Sequence, residues 1–103
     1  MDAQYTQAIE ELTRKIQERR AAYYHWLGVN AGHAAAAFLS WRIVFAARTM
    51  LLQGMTDAQL WQITCRSKGV LRTSACSASV ALSNHAPKVA YKPRYLVANY
   101  WGE

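Results

Sequence analysis

The chain has 103 residues, 52% of them hydrophobic and 17% charged. This composition excludes an intrinsically disordered chain and fits a single domain with a modest core. The net charge is +6, which turns attention to polyanions and acidic surfaces as partners.

The charge is unevenly placed. From Arg19 to Gly102 there are ten bases and one acid, Asp57, a local net of +9. Nucleic acid, anionic lipid or the acidic face of another protein would neutralise such a span; the plain alternative is a solvated basic surface. The N-terminus, MDAQYTQAIEEL, is acidic and amphipathic and does not read as a signal peptide, so a cytoplasmic location is expected.

The first predicted helix covers residues 2–27. Tyr5, Ile9, Leu12, Ile16, Tyr23 and Trp26 follow a three–four spacing, with Arg19 in the seam between Ile16 and Tyr23. The seam suits packing on the next helix or, as a second option, a homodimer. Glu10–Arg14, Glu11–Lys15 and Arg14–Glu18 are four apart and are expected on the outer, solvated face, each pair adding a few tenths of a kcal/mol. Gly28 is placed to end the helix, since glycine takes positive φ at little cost. Asn30 is placed to cap the next one. His25 and His33 flank this corner and suit a hydrogen-bonding role.

The second predicted helix, residues 31–53, is AGHAAAAFLSWRIVFAARTMLL with one further residue. Ala34, Ala37, Phe38, Trp41 and Phe45 form one stripe, and Leu39, Ile43, Ala46, Ala47 and Met50 a second. A helix apolar on most sides needs neighbours on most sides, so this one is expected to be the central element. Its length approaches that of a membrane span. Arg42 and Arg48 lie inside it, and each would cost about 2.5–3.5 kcal/mol near a bilayer centre, so no membrane partner is expected. With a short connection at Gly28–Asn30, the first two helices should form an antiparallel hairpin over 2–53.

Gly54 ends this helix, and Thr56-Asp57-Ala58-Gln59 has the capping-box pattern. A third helix is predicted over 57–67, with Leu60, Trp61 and Thr64 on one side and Ile63 alongside. Residues 70–83, VLRTSACSASVALS, admit a helix, with Leu71, Ala75, Ala78 and Leu82 on one face, or a strand. Helix is favoured even though serine and threonine are poor helix formers. Residues 88–101 read as a strand or extended arm. Val89, Tyr91, Tyr95 and Val97 share one parity and Lys88, Lys92 and Arg94 the other, and Pro93 restricts the segment to an edge.

The fold expected is therefore mainly α: a small single helical domain built on an N-terminal antiparallel hairpin plus a third helix. Its basic C-terminal part is either a helix or a β-hairpin with an extended tail, the latter giving an α+β fold.

One stretch has a binding mechanism attached to it. Trp61 to Val80 has the outline of a helix-turn-helix: a helix ending near Lys68, a turn at Gly69, Val70 returning to the core, and a second helix from Leu71–Arg72. In that arrangement the second helix enters the major groove. Arg72, Thr73, Ser74 and Ser77 would be its exposed positions, with Arg72 able to pair with a guanine edge. Arg66 and Lys68 would neutralise phosphates. Lys68 departs from the pattern, which usually buries an apolar residue there, and Ala75 and Ala78 are small for core positions. The tail is a second candidate, because Lys88, Lys92 and Arg94 alternate with Tyr91 and Tyr95. Bases track phosphates while aromatic faces stack on unpaired bases.

Catalysis is not expected. No carboxylate pair, phosphate-binding glycine loop or activated Cys–His pair is visible. Cys65, Cys76 and His85 do not have the spacing of zinc modules, so the thiols are expected reduced and buried, and no cofactor is expected. The functional expectation is a small nucleic-acid-binding or regulatory protein, DNA ahead of RNA. It would act through Arg66, Lys68, Arg72, Thr73, Lys88, Tyr91, Lys92, Arg94 and Tyr95. The alternative is a non-enzymatic effector or inhibitor, of the size of phage or plasmid accessory proteins, that docks on an acidic protein.

Overall fold

A computed structural model describes residues 2–87. They form four helices: α1 (Ala3–Trp26), α2 (Ala31–Leu52), α3 (Asp57–Arg66) and α4 (Gly69–Asn84). There is no strand among the described residues, so 70–83 take the helical one of their two readings. The strand or arm expected at 88–101 lies outside the described residues.

Local sequence sets the helix ends. The Asp2 carboxylate accepts from the Gln4 N–H at 3.0 Å to open α1. The Asn30 side chain accepts from the His33 N–H at 3.0 Å to open α2. At α3 the capping box closes in both directions. The Gln59 N–H donates to the Thr56 hydroxyl at 3.2 Å, and the Thr56 N–H to the Gln59 carbonyl at 2.9 Å. These bonds satisfy amides that have no partner within the helix. Helix α4 opens differently. Lys68 occupies the cap position and makes no side-chain cap bond, and Gly69 has φ +65, a backbone conformation that side chains resist.

Helices α1 and α2 run antiparallel. Moving up α1 through Thr13, Arg19 and Tyr23, their α2 partners descend through Arg48, Ser40 and Phe38. Arg48 donates from Nε to the Thr13 hydroxyl at 2.8 Å. Arg19 donates from Nε to the Ser40 hydroxyl at 2.9 Å. The Tyr23 and Phe38 ring centroids lie 5.5 Å apart. A cation in the apolar seam, Arg19, is thus accommodated by a hydroxyl on the facing helix.

The centre of the molecule is α4, not α2. All three other helices pack against α4. It buries Ser74, Ala75, Ala78, Ser79, Ala81 and Leu82. These side chains are mostly small, so neighbouring backbones can approach closely on several sides. Ala8 and Leu12 of α1, Ala47, Met50 and Leu51 of α2, and Leu60 of α3 complete the core around them. The buried hydroxyls find partners. Ser74 donates to the Val70 carbonyl at 2.6 Å, Thr64 to the Leu60 carbonyl at 2.9 Å, and Ser79 to Asp57 Oδ1 at 2.5 Å. A hydroxyl satisfied this way escapes the usual penalty for burying a polar group.

Several side chains depart from their expected places. Glu11, expected on a solvated face, turns toward the end of α4. His85 Nε2 is 3.2 Å from Glu11 Oε1 and Lys15 Nζ is 3.6 Å from Oε2. Oε2 is buried without a hydrogen bond. The pairs Glu10–Arg14 and Arg14–Glu18 do not form among the described residues; Glu18 lies 3.9 Å from Arg19 instead. His25 and His33 sit against Trp26 with ring centroids 4.8 and 4.6 Å away, the first edge-on and the second tilted, aromatic contacts in place of the expected side-chain hydrogen bonds. Trp61 is exposed while Leu60 and Thr64 are buried, and Leu71 is exposed while Ala75, Ala78 and Leu82 are buried. Cys65 is exposed and Cys76 half-buried, both as free thiols.

Candidate nucleic-acid interface

The α3–α4 corner brings four of the expected site residues together. Arg66 is the last residue of α3, Ser67 and Lys68 form the link, and Arg72 and Thr73 follow within the first turns of α4. All four of Arg66, Lys68, Arg72 and Thr73 are exposed. Among the described residues, no carboxylate pairs with Arg66, Lys68 or Arg72. Three cations thus lie within seven residues of chain, beside the positive end of a helix whose first amides are uncapped. Their charges repel one another and are screened only by solvent ions.

The connection is tighter than the expected turn. Helix α3 ends two residues before Lys68, and Gly69 is already the first residue of α4. Val70 is half-buried and lines a groove on α2 with Trp41 and Phe45. This places α2's Arg42, which lines the same groove, next to the corner.

The expected recognition face does not exist as a face. Ser74 is fully buried and bonded to Val70, so it cannot touch a base. Ser77 is half-buried, in a crevice with Lys15, Arg19, Ser40 and Cys76. Thr73 is exposed, but its hydroxyl already donates to the Gly69 carbonyl at 3.1 Å. Its oxygen can accept a bond, whereas a phosphate needs a donor. What the corner offers is charge, with Arg72 alone placed to reach further.

Lys88, Tyr91, Lys92, Arg94 and Tyr95 lie outside the described residues. The last described residue, Pro87, shares a crevice with Asp2 and Gln7 at the far end of α4 from Gly69. At about 1.5 Å rise per residue, a helix of 16 residues separates the two ends by roughly 24 Å.

Sequence reasoning missed a second feature, on α2. Its 22 residues are long and apolar enough to cross a membrane, yet only 22% of its most apolar window is buried. Phe38, Phe45 and Leu52 are 43, 54 and 48% exposed. They recur every seven residues, a spacing that keeps side chains on one side of a helix. The signal was present, but two apolar stripes side by side do not reveal which is left uncovered. Beside this line lies a groove of about 420 Å³ between α2 and the start of α4, lined by Phe38, Trp41, Arg42, Phe45, Ala46 and Val70.

No three His, Cys, Asp or Glu side chains among the described residues are grouped to hold a metal ion. No family model, curated protein or solved structure matches the chain.

Proposed function

We propose that the protein binds nucleic acid, DNA ahead of RNA, by gripping the phosphate backbone. The observation that carries this reading is the α3–α4 corner, where Arg66, Lys68 and Arg72 stand exposed with no carboxylate beside them among the described residues. Cations left unpaired by their own chain are free to replace the counterions condensed on a polyanion, whose release into solution drives binding. Little of α4 is free to read base edges, since Ser74 is in the core and Thr73 has spent its proton. Sequence discrimination is therefore expected to be small, with Arg72 as its one source at the corner. The alternating cations and tyrosines at 88–95 are assigned to the same task.

The test is binding of a short labelled DNA duplex followed by fluorescence anisotropy over a salt series. The affinity is expected to fall steeply between about 50 and 200 mM salt. Joint replacement of Arg66, Lys68 and Arg72 by alanine should weaken binding and flatten that dependence. Binding that ignores salt, or that the triple substitution leaves unchanged, would rule the reading out.

A further inference from the structure

We propose that the groove between α2 and the start of α4 receives an acidic amphipathic helix from a protein partner. This inference rests on α2 and does not depend on nucleic-acid binding. The groove is shallow and its lining mostly apolar: Phe38, Trp41, Phe45 and Ala46 of α2, with Val70 of α4 at its edge. One wall is already firm. Trp41 lies 6.0 Å from both Phe38 and Tyr23, centroid to centroid, and Tyr23 lies 5.5 Å from Phe38. A wall braced in this way loses little freedom when something binds to it, which favours affinity.

The charge around the groove selects its occupant. Helix α2 contains Arg42 and Arg48 and no Asp or Glu. Arg48 is turned toward α1, where it bonds Thr13, while Arg42 is exposed and lines the groove. Lys68 and Arg72 each lie two residues from the groove residue Val70. Arg20 sits 5.9 Å above the Tyr24 ring, at the aromatic end. An apolar groove with an exposed arginine in its lining, on a helix without a carboxylate, fits a helix that offers apolar anchors along one side and carboxylates on its flanks.

The same charges argue against other occupants. A second copy of α2 would bring cations toward cations with no acid to answer them. A bilayer would meet the exposed Arg42 in the midst of the apolar side chains, a charge that hydrocarbon leaves unsatisfied. Nucleic acid would leave the apolar walls of Ala46 and Val70 without complementary surface.

The test uses the full chain and a designed fluorescent peptide with leucines at helical spacing and glutamates elsewhere. Two controls accompany it: a scrambled peptide of the same composition, and one with lysine in place of glutamate. The glutamate peptide is expected to bind, and the controls at least about tenfold more weakly. Phe45→Ala should reduce its affinity about tenfold or more, as for a central apolar anchor. Phe45 is 54% exposed, so the fold should survive, which circular dichroism verifies. Arg42→Glu should reverse the preference toward the lysine peptide. Duplex DNA binding by Phe45→Ala should match wild type, so failure here and failure of the nucleic-acid reading are separable.

Equal binding of the scrambled peptide, no binding of the glutamate peptide, or indifference to Phe45→Ala would overturn the proposal. So would a concentration-dependent dimer that Phe45→Ala abolishes, which would give the groove to a second copy. Binding to anionic vesicles that Phe45→Ala abolishes would give it to a lipid surface. Binding of the glutamate peptide only after joint replacement of Tyr91 and Tyr95 by alanine would give it to the chain's own residues 88–103.

Discussion

The Ser79 hydroxyl on α4 donates to Asp57 Oδ1 in the first turn of α3 at 2.5 Å. Asp57 is the lone acid between Arg19 and Gly102, and it is engaged at the opposite end of α3 from Arg66. The bond ties the start of α3 to α4, and the length of α3 separates this carboxylate from the basic corner. Replacing Ser79 by alanine removes a bond to a charged group and is expected to cost about 1–2 kcal/mol, read from urea unfolding. No loss of stability would show that the two helices do not depend on this tie.

The small residues of α4 should resist enlargement. Ala75 and Ala78 are fully buried. Leucine at either position is expected to destabilise the fold by about 1–3 kcal/mol, because the extra carbons have nowhere to go. Leu71→Ala, four residues before Ala75 and half-exposed, should stay within about 0.5 kcal/mol of wild type. If the two kinds of substitution proved equally harmless, α4 would not be the close-packed centre of the molecule.

Gly69 opens α4 with φ +65, and a Cβ built there meets nothing within 4 Å. The cost of Gly69→Ala is therefore one of backbone conformation alone, about 1–2 kcal/mol. Thermal unfolding measures it. A neutral result would mean that the corner relaxes into an ordinary helix start, taking Arg66, Lys68 and Arg72 with it.

The corner cations should be nearly silent in stability and prominent in binding. Each alanine substitution at Arg66, Lys68 or Arg72 is expected to change unfolding by less than about 0.5 kcal/mol. Each should also reduce the slope of log affinity against log salt by roughly 0.9 for every phosphate that the native side chain neutralises. Unfolding curves and the salt series on the same preparations separate a missing charge from a damaged fold.

His85 and Glu11 join the end of α4 to the middle of α1. His85→Ala takes away the partner at 3.2 Å and leaves Glu11 Oε1 with the Asn84 amide at 3.5 Å, while Oε2, buried without a hydrogen bond, keeps the Lys15 ammonium at 3.6 Å. Hydrogen exchange of the last α4 amides should accelerate, with a loss of about 1 kcal/mol. Unchanged exchange in that turn would show that the neighbouring bond from Gln4 Nε2 to the Leu82 carbonyl, 2.7 Å long, suffices to hold it.

What was legible in the sequence was mostly local. Asn30 and the Thr56–Gln59 box act within three or four residues of chain, so pattern alone located these helix starts and the turns before them. Burial was less legible. Hydrophobicity marked α2 as the centre, but a core needs close approach as well as greasy side chains. Ser74, Ser79 and the alanines of α4 supply that approach because each hydroxyl finds an acceptor. Glu11 was misplaced for a related reason: one seam fixes one contact side, and α1 touches two neighbours. At the α3–α4 corner, adjacency in sequence is enough to put Arg66, Lys68, Arg72 and Thr73 together. The placing of Arg42 beside them follows from tertiary packing that no spacing rule contains.

That α4, the last helix among the described residues, is the hub has a bearing on biosynthesis. Gln4 finds its acceptor at Leu82, and Glu11 its partner at His85, so the first of the described turns lean on the last of them. While α4 is still inside the ribosome, α1 and α2 can pair, but the apolar sides meant for Ala75, Ala78 and Leu82 stand open to solvent. Loops of this length close slowly compared with local helix formation. A polypeptide stopped short of Leu82 would be left with those sides bare, and aggregation or proteolysis, more than folding, would decide its fate.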